Sequence, residues 1–436
     1  MSKKLFAFFL SLMILLPARG QDSADMAIMD AVQSGDYFLL DSLSKVKSDS
    51  ISAWMKDFST ALLDNAFNRK QQAVESLQKV VSTYGNKLSL ESRVYLSSLL
   101  ADNLQRLDKH KEASLMLLGL LNQFDREGYN ISYQTDVLNM ERKFRLLSDI
   151  SLYGFDSSDL DVTVPLELSQ NDVEGLMVPF LSIPVMVGRS SAHAALSTSE
   201  SANLVTESTA RALGMQPVGE TAEGKRHTLQ PGTLVLAKEL RLGDLAISNV
   251  PFEVMEDGPD DALSRSYLSH FTLILSLPLL EHLGSMLLDF DASTVTFLLS
   301  EKPQTNGRNL MMDPLTGALV LRLGLPTGGN LLLQADTSCA FSALVEEGLP
   351  SRPDGKDPTT ATLYISSVMG LSPYRGYLLR DFNFLINNQE LGVSGIKVCQ
   401  EKTEEQLRNG ILGIDFFSGF SRCVLDMDAM NLSLIP

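Results

Sequence analysis

The sequence predicts a multidomain chain, an all-α part of helical hairpins followed by two all-β lobes of similar length. Three observations carry this. Between Asp22 and about Asp149 apolar residues recur at helical spacing. From Phe180 onward the pattern changes to short alternating or continuous apolar runs, separated by Gly, Pro, Asn or Asp. Within that β-rich part, several segments recur at a nearly constant distance along the chain.

In the helical part, Val74, Leu77 and Val81 share one face of Gln71–Val81, and Leu96, Leu100, Leu104 and Leu107 repeat the spacing. Tyr84-Gly85-Asn86 is a stop. Leu62-Leu-Asp-Asn65 is echoed by Leu100-Ala-Asp-Asn103, and each is followed by a polar break and a further helix. This resembles tetratricopeptide-type helix hairpins at a period of 38 to 40 residues, without their diagnostic Trp and Pro positions. An ordinary helical bundle gives the same pattern.

Ahead of it, Lys3 and Lys4 precede an apolar run from Leu5 to Leu16, and Ala18-Arg19-Gly20 supplies small residues before Gln21. That is the form of a secretory signal peptide over 1–20, too short to span a bilayer. The mature protein is expected to be exported, periplasmic or extracellular, and no later run is long enough for a membrane span. The net charge of −17, spread without long runs, argues against nucleic acid and anionic membrane as partners.

The repeat is clearest near the end of each lobe. Leu287-Leu-Asp-Phe-Asp-Ala292 matches Val424-Leu-Asp-Met-Asp-Ala429 at an offset of 137 residues. Ile274-Leu275-Ser276 matches Ile411-Leu412-Gly413 at the same offset, and Ser197-Thr198-Ser199 falls on Asp336-Thr337-Ser338 at 139. The reading divides the chain into a signal peptide (1–20), a helical domain (21–154), a first lobe (155–300), a linker (301–308) and a second lobe (309–436). The linker, Glu301-Lys-Pro-Gln-Thr-Asn-Gly-Arg308, is rich in turn residues.

Leu332 to Ala335 runs apolar residues into Asp336-Thr337-Ser338, and Gly410-Ile411-Leu412-Gly413 is a second apolar strand closed by glycine. Together these resemble one lobe of the aspartic peptidase superfamily, retropepsin-like or pepsin-like. There Asp-Thr-Gly or a close variant lies on one strand, and a strand ending in two apolar residues and Gly threads beneath the catalytic loop. The resemblance implies duplicated acid-protease lobes, a hydrolase chemistry, a peptide or protein ligand in the cleft between them, and no cofactor or metal. It makes Asp336 a candidate catalytic acid, with Thr337, Ser338, Ile411, Leu412 and Gly413 supporting it. Thr198 and Thr337 would hold the two loops together across the lobe interface.

The first lobe departs from the family. Ser197 stands where the partner Asp belongs, followed by Thr198 and Ser199, and Ser276 replaces the glycine of the threading strand. A carboxyl pair works because close carboxyls share one proton, so that one activates water while the other polarises the scissile carbonyl. Serine cannot take that part. Two readings follow: a catalytically impaired pseudo-protease that binds peptide or protein, or an active aspartic-type endopeptidase using Asp336. A third possibility makes Asp336 only a turn carboxylate. Pepsin-like enzymes carry a Tyr on the first-lobe flap, whereas Gly214–Asn249 has no aromatic residue; Tyr364, Tyr374 and Tyr377 lie in the matching stretch of the second lobe.

Other signals are weaker. Gly219–Lys225 has phosphate-loop spacing, but Arg226 occupies the Ser/Thr position and Pro231-Gly232 breaks the helix that must follow. His110, His193, His227, His270 and His282 lack ligand spacing. The three cysteines are Cys339, Cys399 and Cys423; an oxidising compartment would allow a Cys399–Cys423 bridge and leave Cys339 free beside Asp336. As a nucleophile Cys339 would have to borrow a base such as His193 from the other lobe.

Overall fold

The computed structural model describes residues 23–127, 134–155, 161–218, 232–255, 261–300, 303, 307–349, 360–368, 370–400 and 409–436. The expected signal peptide, most of the 301–308 linker, His227 and the Gly219–Lys225 stretch lie outside the described residues. The chain divides into two compact units, Met1–Ser151 with Met311–Gly317, and Leu152–Leu310 with Ala318–Pro436.

The first unit is helical: α1 (Ser23–Ser34), α2 (Tyr37–Val46), α3 (Ala53–Ala66), α4 (Lys70–Tyr84), α5 (Leu90–Gln105), α6 (His110–Glu127) and α7 (Gln134–Leu147). Ser52 and Ser89 cap α3 and α5 by accepting from the amides of Met55 and Ser92. The tight joints after α3 and α5 place Asn68 and Asp108 at φ 55° and 57°, which short polar side chains tolerate best. Consecutive helices pack on one another. Val74, Leu77 and Val80 of α4 are buried, as are Leu96, Leu100 and Leu104 of α5. The two echoed asparagines meet, Asn103 Nδ2 donating to Asn65 Oδ1 at 2.6 Å. Arg106 reaches Asn68 Oδ1 and Met312 Sδ, so the 311–317 segment packs as part of this unit.

The second unit is β-rich. Its first half contains β1 (Gly154–Phe155), β2 (Val162–Pro165), β3 (Glu167–Val173), β4 (Leu176–Val187), β5 (Ser190–Leu196), β6 (Leu204–Thr206), α8 (Glu207–Ala212), β7 (Gln216–Pro217), β8 (Leu234–Leu242), β9 (Leu245–Met255), α9 (Ala262–Leu268), β10 (Leu273–Leu275), α10 (Leu277–Leu283), β11 (Ser285–Asp289) and β12 (Thr294–Leu298). After β13 (Leu310–Met312) come β14 (Leu319–Gly324), β15 (Asn330–Ala335), β16 (Ala343–Val345), β17 (Ala361–Ser367), β18 (Gly370–Ile386), β19 (Gln389–Cys399), β20 (Gly410–Leu412), α11 (Ile414–Phe417), β21 (Arg422–Asp426) and β22 (Asn431–Ile435).

Two stretches of the apolar pattern are hairpins. Val235–Val250 turns at Gly243, whose φ of +56° suits glycine, and Leu287–Leu299 turns before Ser293. Apolar alternation continues straight through such tight turns, which is why period alone does not reveal them.

The repeated segments make equivalent pairings. β5 runs parallel to β10 with Ala195 opposite Ile274 and Leu196 opposite Leu275. β15 runs parallel to β20 with Gln334 opposite Ile411 and Ala335 opposite Leu412. β6 then pairs antiparallel with β10, as β16 does with β20. A third sheet, ordered β2-β12-β11-β21-β22, joins the halves. In it Leu287 lies opposite Val424, its own counterpart in the repeat, so the twofold relation between the halves passes through that pair.

The three cysteines form no disulfide. Cys399 ends β19 in one sheet and Cys423 faces Leu288 in another, so the Cys399–Cys423 bridge allowed by the sequence is absent.

Candidate functional site

β5 and β15 each end in a buried loop, Ser197-Thr198-Ser199 and Asp336-Thr337-Ser338, and each loop starts with an amide bonded to the strand beneath it. Ser197 N donates to Leu275 O at 2.9 Å, and Asp336 N donates to Leu412 O at 3.0 Å. An apolar three-residue strand suits this place because it has no side-chain polarity to satisfy in the core.

The loops are locked to each other through their threonines. Thr198 Oγ1 donates to Ala335 O at 2.7 Å and accepts from Thr337 N at 3.2 Å, while Thr337 Oγ1 donates to Leu196 O at 2.6 Å. All these groups are buried. A single intramolecular bond is worth about 1 kcal/mol net, but losing a partner here strands a buried carbonyl, which costs about 1–3 kcal/mol.

Asp336 lies face to face with Ser197. Its Oδ1 accepts from Ser338 Oγ at 2.7 Å, Ser338 N at 2.9 Å and Ser197 Oγ at 3.3 Å, and its Oδ2 accepts from Ser199 Oγ at 2.7 Å. Ser338 Oγ also lies 3.1 Å from Ser197 Oγ. The carboxylate is thus ringed by three serine hydroxyls drawn from both loops. Such a ring orients an acceptor, and none of its three hydroxyls is an acid.

The strands below differ at one point. Gly413 passes so close to the Asp336 loop that a Cβ there would sit 2.6 Å from Cys339 O, and Ile414 N donates to that same carbonyl at 2.7 Å. Ser276 holds the equivalent position in the first half with its side chain in place, its Oγ 3.3 Å from Asn203 Oδ1. The amides of these two residues have matching acceptors, Asn203 Oδ1 for Ser276 at 2.9 Å and Ser342 Oγ for Gly413 at 2.8 Å. Ile411 and Leu412 lie buried beside Asp336.

Several residues of the site escaped the sequence reading. Ser366 of β17 accepts from Ala340 N at 2.7 Å, tying the β17–β18 hairpin to the chain just beyond Asp336. That hairpin also reaches the first half, where Ser264 Oγ accepts from Leu371 N at 3.1 Å. Tyr267, Phe180 and Phe271 of the first half pack with Ala340, Phe341 and Leu371 of the second. Tyr374, in the second-half stretch that matches the first-lobe flap, is buried with Cys339, Ile365 and Ile411. Glu200, directly after Ser199, is half-buried; burial, then the charges of Asp336 and Glu253, push its carboxyl up to about 7. No spacing rule singles out a lone Glu one residue past a degenerate motif.

Cys339 is fully buried, its Sγ 3.0 Å from Ser366 O, and burial reinforced by Asp336 pushes its thiol up to about 12. His193 faces Glu167 at 3.3 Å on an exposed surface, so the pair does not form a thiolate nucleophile with its base. Among the described residues no group of three or more His, Cys, Asp and Glu is arranged to hold a metal ion, and no helix is long and apolar enough to cross a membrane.

No family model matches the chain, and no curated protein matches it. Among solved structures, the chain is similar to a retropepsin-like aspartic protease from Rickettsia conorii, at 13% identity and a TM-score of 0.20, over 33% of this chain and 95% of that one. It is also similar to basic 7S globulin from soybean, at 10% identity and a TM-score of 0.37, over 63% of this chain and 94% of that one.

Proposed function

We propose that the β-rich unit is a bilobal relative of the aspartic peptidases that binds extended peptide or unfolded protein over Asp336, with hydrolysis impaired by the loss of an acid at Ser197. The observation that carries this is the reciprocal threonine contact, which holds Asp336 and Ser197 opposite each other on equivalent loops. Serine can donate a hydrogen bond to a substrate carbonyl, but it does not release a proton in the working pH range, and a missing general acid or base costs about 10²–10⁴-fold in rate. In this reading residues 1–20 direct export, and the helical unit is a tetratricopeptide-type accessory that helps to hold the protein partner.

The test is proteolysis of unfolded protein and of peptide libraries between about pH 3 and pH 7, where a carboxyl pair titrates. Wild-type protein is expected to cleave slowly, Ser197→Asp to cleave faster, and Asp336→Asn to abolish cleavage in both backgrounds. Peptide binding that is the same in wild type and in Asp336→Ala, together with no cleavage by any variant, would remove the reading.

A further inference from the structure

The loop that lost its acid at Ser197 carries another three residues later. Glu200 occupies the position that Cys339 fills in the second half, at the same offset of 139 that relates Ser197 to Asp336. The two positions are treated differently. Cys339 is fully buried, with its carbonyl bonded to Ile414 N against the bare Cα of Gly413. Ser276 stands where Gly413 lies in the second half and carries a side chain there, its Oγ 3.3 Å from Asn203 Oδ1. Glu200 is half-buried rather than sealed, and it adjoins Ser199, whose hydroxyl bonds Asp336 Oδ2.

We propose that Glu200 is the second carboxyl of the Asp336 site, carrying the proton that Ser197 cannot. This rests on the peptidase-like reading above. The charged groups that act on Glu200 are Asp336 from the second half and Glu253 of β9, both acidic, and the titratable neighbours of Asp336 further include Cys339 and Tyr267. Burial and these like charges keep Glu200 protonated to about pH 7. The site would then divide the roles by environment: Asp336, ringed by donors, is the base, and Glu200, desolvated, is the acid.

The hydrolytic step balances with water as the only co-reactant. Asp336 takes a proton from water as the water oxygen bonds to the peptide carbonyl carbon, and Glu200 gives its proton to the carbonyl oxygen, forming a gem-diol. The C–N bond then breaks as nitrogen takes the proton held by Asp336. One diol hydroxyl returns its proton to Glu200, leaving a carboxylic acid and an amine.

The experiment titrates the full chain labelled with ¹³C at the Glu and Asp carboxyls. One Glu signal should titrate near pH 7, vanish in Glu200→Gln and move down in Asp336→Asn. A Glu200 that titrates in the ordinary carboxylate range, or that ignores Asp336→Asn, overturns the proposal whether or not any substrate is cleaved. On a denatured protein substrate at about pH 5.5, Glu200→Gln should lower kcat by about 10²–10⁴-fold, and Glu200→Asp should recover part of it. The wild-type rate should fall as pH rises through about 7, and this limb should disappear in Glu200→Gln. Cleavage that needs Asp336 but is unchanged in Glu200→Gln would sink Glu200 as the acid while leaving the peptidase-like reading intact. Loss of that broader reading would show instead as Asp336→Asn leaving both cleavage and peptide binding unaltered.

Discussion

Gly413 and Ser276 occupy the same place in the two halves of the β unit and share nearly the same backbone. Their φ, ψ values are −104°, −171° and −133°, −173°, extended conformations open to any residue. Glycine is therefore required at 413 by space alone, because the Asp336 loop lies against it. Where the loop carries Asp336, strand and loop touch; where it carries Ser197, the strand residue bears a side chain bonded to Asn203. The half with Asp336 buries Cys339 completely, and the half with Ser197 leaves Glu200, at the matching position, half-buried.

The largest effect should come from abolishing that difference in the tight half. Gly413→Val would push a branched side chain into Cys339 O and the Phe341 backbone, and is expected to cost about 3 kcal/mol or more, read as a lower denaturant midpoint. A variant as stable as wild type would show that the tight packing at Gly413 is dispensable.

Next is pH. Glu200 is raised from 4.5 to about 7, so the folded state holds a proton that the unfolded chain releases, and stability falls as pH rises between those values. Glu200→Gln stays neutral throughout and should flatten this window by up to about 3 kcal/mol, measured by urea unfolding at pH 4.5 and pH 8. Equal slopes in both proteins would place Glu200 in water.

The threonines should differ from each other. Thr198→Val strands both Ala335 O and Thr337 N, whereas Thr337→Val strands only Leu196 O. The first should cost about 2–3 kcal/mol and the second about 1–2 kcal/mol, and the reverse order would contradict the hydrogen-bond assignment. The smallest effect belongs to Ser276→Gly. It loses a long bond to Asn203 and adds unfolded-state freedom, together about 1 kcal/mol.

The sequence made the repeat visible because it is written in short similar stretches at a near-constant offset, and the equivalent pairings of β5 with β10 and β15 with β20 follow those stretches residue for residue. The change from helices to strands was equally legible in the shift of apolar period. What could not be read were features fixed by distant contact. That Tyr374 faces the core is decided by the register of β17 on β18, and a one-residue slip would reverse it. Cys399 and Cys423 lie in separate sheets, a fact of topology that spacing does not encode. Glu200 was invisible for a related reason: its environment is set by burial and by Asp336, 136 positions away.

The sheet that joins the halves has a consequence for how the chain acquires its structure. Its strands come from three distant stretches, with Val164 paired to Val295 and Leu287 to Val424. During synthesis at roughly 5–20 residues per second, β11 would wait on the order of ten seconds for β21. For that interval a β edge is open to any passing strand. Loop closure over such spans is slow, so the unit should fold late and as a whole, with a chaperone-dependent yield that the helical unit, built from neighbouring contacts, does not share.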